Sequence, residues 1–154
     1  MSEKKTAKDS IVIMQHLVMP NDTNPHNTIF GGVVMSWIDM AAALCAEKYT
    51  RKNVVTVHVS DISFKAPIRI GDHVTVMAKV NYVGKTSLVI GTKVIAENPQ
   101  SGEKRHTSSA YLTFVSLDDI GRPVRVPELI LETEDDKRRA QEAKDRVDRI
   151  KKGR

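Results

Sequence analysis

Only one cysteine, Cys45, occurs in the 154 residues, which excludes an intramolecular disulfide framework and any metal site built on several thiolates. In an Ala-rich apolar run it reads as a small core filler. Aromatic residues make up 5% of the chain, too few for a base-stacking surface, and no zinc-finger spacing or recognition helix accompanies them. No nucleic-acid partner is therefore expected. No apolar run reaches the roughly 20 residues that a bilayer span needs, so no membrane insertion is expected either. Residues 1–10 are polar and mixed in charge, without the apolar centre of a signal peptide, and read as a disordered lead into a cytoplasmic protein. The five histidines form no ligand cluster, and no HExxH, GxSxG or P-loop pattern is present. Metal-dependent, serine-hydrolase and nucleotide-triphosphatase chemistry therefore lack a motif, and no metal is expected.

What is present is one domain's worth of core, with 40% hydrophobic residues, and a net charge of +5. The charge suggests an anionic partner. Much of it lies in the C-terminal segment, interleaved with acids as on a solvated helix face, and a small phosphorylated ligand accounts for it as well as a polymer does. Residues 11–18 form a β-prone run that ends in the turn cluster Met19-Pro20-Asn21-Asp22. Asn27 or Thr28 can cap a helix running to about Tyr49, apolar on nearly every face and so expected to be wrapped by other structure. Four largely alternating β-branched runs follow, at residues 54–66, 73–83, 87–97 and 104–117. The class is α+β: a curved antiparallel five-stranded sheet around one long helix. Residues 128–154 form a charged helical tail, with a cap at Thr133. Its Ala140, Ala143, Val147 and Ile150 make an apolar stripe for packing on the body or on a neighbouring subunit.

Chemistry is suggested by one carboxylate, Asp39, in an uncharged helical run that opens with Gly31 and Gly32. A buried lone carboxylate is disfavoured unless partnered or solvated, and such groups concentrate at functional sites. A glycine-rich helix start exposes backbone amides and the positive end of the dipole to a ligand oxygen. Attack of water on an activated carbonyl needs that combination: a base or nucleophile, and donors where the carbonyl oxygen gains charge. Asp39 lies seven residues beyond Gly32, about 10 Å along one helix. Two copies of the chain can present the two groups to one carbonyl where a single copy is strained, which implies a composite site with twofold symmetry.

An ordered set of motifs carries a family resemblance. It runs through Asn24, Phe30-Gly31-Gly32, the helix with Asp39, residues 55–64 (VTVHVSDISF), residues 67–72 (PIRIGD), residues 83–87 (VGKTS), Thr113-Phe114-Val115, Gly121-Arg122-Pro123 and Val126-Pro127. The chain resembles the hotdog-fold acyl-CoA thioesterases, in particular the cytosolic and brain-type acyl-CoA hydrolases and their single-domain bacterial relatives. The resemblance covers residues 11–129, and the thioesterase domain is placed at 11–127. It implies hydrolysis of fatty acyl-CoA, dimers with two interface sites, and further association into a trimer of dimers. Coenzyme A belongs to substrate and product, and no separate cofactor is implied. Asp39 would act as general base or as a nucleophile forming an anhydride, with Asn24 orienting water or thioester and Gly32 as oxyanion donor, Gly31 allowing close approach. Gly84, Lys85, Thr86 and Ser87 correspond to the family turn beside the CoA channel, where Lys85 replaces the commoner Arg and loses its planar fork.

Ser60, taken to share a strand face with Thr56 and His58, is a candidate for the pantetheine path. Lys65, Arg69, Lys104 and Arg105 are further cations for nucleotide phosphates, each more simply explained as a solvated surface charge. Two other readings share the fold. A hydroxyacyl-thioester dehydratase would pair His26 with Asp39, although the residues around His26 match the hydrolases better. A non-catalytic acyl-CoA sensor would bind without turnover, but the extra DNA-binding segment expected of such a regulator is missing.

Overall fold

The computed structural model describes residues 3–153. Strand β1 (Lys4–Thr6) leads through a 3-10 turn to β2 (Val12–Leu17), followed by helix α1 (Gly31–Thr50). Then come β3 (Asn53–Phe64), β4 (His73–Val83), β5 (Ser87–Glu97), β6 (Lys104–Leu117), β7 (Glu128–Ile130) and α2 (Glu134–Lys152). The main sheet has the order β2-β4-β5-β6-β3 with every neighbouring pair antiparallel. Alternation in the sequence becomes sidedness here. Val74, Val76, Ala78 and Val80 of β4, Leu88 and Ile90 of β5, and Leu112 and Phe114 of β6 are buried in the core beneath α1.

Helix α1 meets this face with Val34, Ile38, Ala41, Ala42, Cys45, Ala46 and Tyr49, all buried. The small residues at 41, 42, 45 and 46 let the helix approach the sheet closely, and each fully buried Leu- or Phe-sized partner contributes about 1.5–3 kcal/mol. Burial pushes the Cys45 thiol up to about 11, which keeps it protonated and consistent with a packing role. Tyr49 ends the interface by donating its hydroxyl to the Pro127 carbonyl at 2.9 Å. The sheet wraps the helix from one side, as expected, and Met35, Met40 and Leu44 stay exposed on the other face of the single chain.

The helix also starts later than expected. Asn27 adopts a positive φ of 61°, Thr28 is engaged in a β-bridge with Arg69, and Phe30 is the N-cap without a side-chain cap. The polar residues between Asn24 and Thr28 bond one another, and none is left to cap the helix.

The N-terminal lead differs as well. From Lys4 it is ordered: β1 pairs in parallel with β7, Ala7 and Ser10 are buried, and Lys5 Nζ donates to the Tyr49 carbonyl at 2.8 Å. Residues 1 and 2 lie outside the described residues. A partner strand more than 120 positions away satisfies this backbone, and no local pattern announces such a pairing. At the other terminus Thr133 caps α2 as expected, accepting from Asp136 N at 3.0 Å. The tail packs on the body. Ala143 is buried, Lys79 meets Asp136 at 3.3 Å, and the Arg146 guanidinium lies 3.7 Å from the Tyr111 ring centroid while Nε reaches Asp61 at 2.6 Å. None of the described helices is long and apolar enough to cross a membrane.

His16 of β2 stacks on Trp37 of α1, with centroids 4.2 Å apart and planes within 6°. Its Nε2 is buried without a partner among the described residues. Burial holds the imidazole below its ordinary pKa, partly opposed by Asp22. A histidine depressed in the folded state favours folding when neutral. That contribution is complete above the unfolded value of about 6.5 and is lost as pH falls through the lower folded value. Urea midpoints should therefore drop between pH 7 and pH 5, and His16→Phe, which keeps the stack, should flatten that dependence.

Candidate active site

The start of α1 offers free donors. Phe30 precedes Gly31 in extended conformation and supplies no capping side chain, so the first amides of the helix have only its dipole and solvent around them. A Cβ on Gly32 would sit 2.7 Å from a carbon of the Phe30 ring, whereas one on Gly31 would meet nothing within 4 Å. The pair therefore does not serve tight helix–sheet packing. Gly32 lets the Phe30 ring, 61% exposed, fold over the helix start.

Two turns further on, Asp39 is exposed in the single chain rather than buried as a lone charge. Thr56 Oγ1 donates to its Oδ1 at 2.9 Å, which fixes one carboxylate oxygen and leaves the other available. Thr56 is a candidate site residue that sequence reasoning missed. The signal was the alternation that puts Val54 and Thr56 on the helix side at the start of β3, within reach of a carboxylate on that helix. Thr56 stands opposite Phe114 on β6, and Phe114 opposite Leu88 on β5, so all three point to the α1 side.

Beyond Thr56 the parity inverts. The register skips Val57, so that His58 pairs with Thr113 and Ser60 with Tyr111. The extra residue turns the side chains that follow it to the other face, until a second shift between Ser60 and Ser63. Ser60 therefore lies on the outer face with Tyr111, away from Thr56 and Asp39, which corrects the expected shared face.

Asn24 is half-buried and committed to its own loop. Its Oδ1 accepts from His26 N at 2.9 Å, and its Nδ2 donates to Thr28 Oγ1 at 3.0 Å. It shares no hydrogen bond with Asp39. His26 is exposed and is held through its backbone, and within one chain it makes no hydrogen bond to Asp39.

Gly84, Lys85, Thr86 and Ser87 make the tight β4–β5 turn, closed by Gly84 N to Ser87 O at 2.8 Å. Neighbouring chain pins it, with Ser116 N bonding Thr86 O at 2.9 Å and Val126 N bonding Lys85 O at 2.8 Å. Between this turn and α2 opens a cleft of about 1020 Å³. The other candidate cations fall elsewhere. Arg105 pairs with the buried Asp72 at 2.8 Å, and Lys104 with Glu97 at 3.7 Å. Both begin β6 at the far end of the 11-residue strand β5, roughly 35 Å from the turn.

Comparison with known proteins agrees with this fold. The profile of the Thioesterase superfamily matches residues 26–103. A Bacillus subtilis protein named "Uncharacterized acyl-CoA thioester hydrolase YkhA" is 40% identical over 134 residues, 87% of this chain and 78% of its own length. A hexameric acyl-CoA thioesterase of known structure superposes with a TM-score of 0.93 at 35% identity, covering 97% of this chain and 96% of that one. The acyl-CoA hydrolase of Staphylococcus aureus, solved with butyryl coenzyme A and coenzyme A, gives a TM-score of 0.89 at 34% identity over 96% of this chain and 90% of its own. The chain belongs to the thioesterase superfamily, with the five-stranded hotdog arrangement. Its relatives within that superfamily include acyl-CoA thioester hydrolases.

Because Ala is the better helix former by about 1 kcal/mol and the exposed Phe30 ring can rotate away, Gly32→Ala should change stability by less than about 1 kcal/mol in urea denaturation. A larger loss would mean that the glycine serves the fold.

Proposed function

We propose that this protein hydrolyses fatty acyl-CoA to free fatty acid and CoA at a composite site formed by two copies of the chain. The observation that carries the reading is Asp39 held by Thr56 on the exposed face of α1, the face that also bears the uncapped Gly31–Gly32 start. Oδ2 of Asp39, free of the threonine, accepts a proton as water attacks the thioester carbonyl. The oxyanion is held by the Gly32 amide of a second copy, since the same helix separates its own Gly32 and Asp39 by about 10 Å. Collapse of the tetrahedral species expels the CoA thiolate, and Asn24 orients the thioester from the neighbouring loop.

The surface around Asp39 supports pairing with a second copy. β3 is a terminal strand of the sheet, 12 residues long, and Val55, Val57 and Val59 on it are exposed. Such an open edge is a template for antiparallel addition of another strand. Met35, Met40 and Leu44 of α1 extend the apolar surface beside it. The hexameric neighbour supports further association as a trimer of dimers. The S. aureus hydrolase has been crystallised with an asparagine, an aspartate or a threonine replaced by alanine. The spacing of those three positions, 15 and then 17 residues, equals that of Asn24, Asp39 and Thr56, which supports their roles here.

Thiol release from acyl-CoA of varied chain length should fall about 10²–10⁴-fold in Asp39→Ala. In Thr56→Val it should fall about 10-fold or more, the worth of one hydrogen bond to a charged group. Unchanged turnover in Asp39→Ala overturns the reading. Composite construction has its own readout: mixing Asp39→Ala with Gly32→Val subunits should restore activity, because each hybrid pair regains one intact site. Sites contained within one chain give no such rescue.

A further inference from the structure

The geometry points to helix α2 as the wall that holds the phosphorylated end of coenzyme A, through Lys137, Lys144 and Lys151; this rests on the thioesterase reading of the site. These lysines recur at seven-residue intervals, so they lie along one helix face about 10 Å apart. All three border the 1020 Å³ cleft whose opposite wall is the Gly84–Ser87 turn. Lys85 and Arg125 join them, and the one acid in the lining is Glu128, which faces Lys4 at 3.9 Å. Five bases against one acid leave four net positive charges in the cleft, while the whole chain carries five. The remaining surface is thus nearly balanced, and the chain's basic character is concentrated in one concavity.

The chemistry of the lining selects the ligand. A positive cleft focuses the field on an anion, and Leu129, Leu131 and Val147 in the same lining offer apolar area for a purine ring. A nucleoside diphosphate with an additional phosphate satisfies both features. Competition from within the protein is weak: Lys137 meets Glu134 at 3.2 Å with both side chains largely exposed, a pairing of little strength in water. The pantetheine arm also has a short route. Leu88, directly after the turn, lies opposite Phe114, and Phe114 opposite Thr56. The turn is therefore two strand spacings, about 10 Å, from the residue that holds Asp39.

The decisive variant is Lys137→Glu/Lys144→Glu/Lys151→Glu, compared with the parent by calorimetric titration of CoA and by acyl-CoA kinetics. A rise of about 10-fold or more in Kd for CoA and in KM for acyl-CoA, with kcat retained, is expected. The kcat/KM ratio of acyl-CoA over acyl-pantetheine, which lacks the nucleotide, should fall by the same factor. Dephospho-CoA should show a smaller penalty than CoA, and Lys93→Glu, outside the cleft, none. Should the triple variant melt early, the exposed pair Lys144→Gln/Lys151→Gln carries the same test. Unchanged Kd and KM, or an equal loss in Lys93→Glu, overturns the clamp while leaving hydrolysis standing. CoA binding that is sensitive to the lysines, without thiol release by the parent, upholds the clamp and overturns hydrolysis.

Discussion

Close docking of α1 on the inner face of the sheet is the contact on which the other features rest. Ala41, Ala42, Cys45 and Ala46 are fully buried, and side chains of that size bring the helix near enough for Thr56 on β3 to reach Asp39. Bulkier residues at those positions would lift the helix and break that contact, because a close-packed interior has no slack to absorb extra methylenes. The same docking leaves the opposite helix face, with Gly32, Met35, Asp39 and Met40, uncovered by its own chain. The candidate reacting groups are thus fixed by the core and presented at the surface.

Strand β3 is shaped by two register shifts against β6. Its first residues put Val54 and Thr56 toward the helix, and the skip at Val57 sends His58 and Ser60 to the outer face beside Tyr111. Nearby, Asp61, at a positive φ of 52°, receives Arg146 from α2. The two register shifts, at Val57 and between Ser60 and Ser63, let a single strand serve the helix side near its start and the α2 side further on. α2 is held by this ion pair, by Arg146 on Tyr111 and by Lys79 with Asp136, which keeps its lysines at the rim of the cleft.

Much of this was readable residue by residue. The four strands after α1 fall within about two residues of their expected bounds, because alternating β-branched residues that bury one face leave little freedom of register. Asp39 and the glycine pair stood out from composition alone, as a charge and a flexible start in an apolar helix. Thr56 did not, since a threonine in a strand is unremarkable until a helix carboxylate is found beside it. Ser60 was misplaced for a related reason: a bulge is a property of two strands in register, and the extra residue is invisible in either one alone. The ordered N-terminal lead escaped notice because the strand that pairs with it comes after Pro127.

Sequence by itself determined the α+β class, the strand count of the main sheet, the capped terminal helix and the carboxylate on α1. Each follows from local periodicity or local composition. Tertiary structure alone decided which hydroxyl holds the carboxylate, which face Ser60 occupies, that β1 pairs with β7, and that Lys85 and α2 share a cleft while Lys104 and Arg105 lie at the other end of the sheet. Those outcomes depend on contacts between residues far apart in the chain, and such contacts are set by how whole elements pack rather than by any stretch of neighbouring residues.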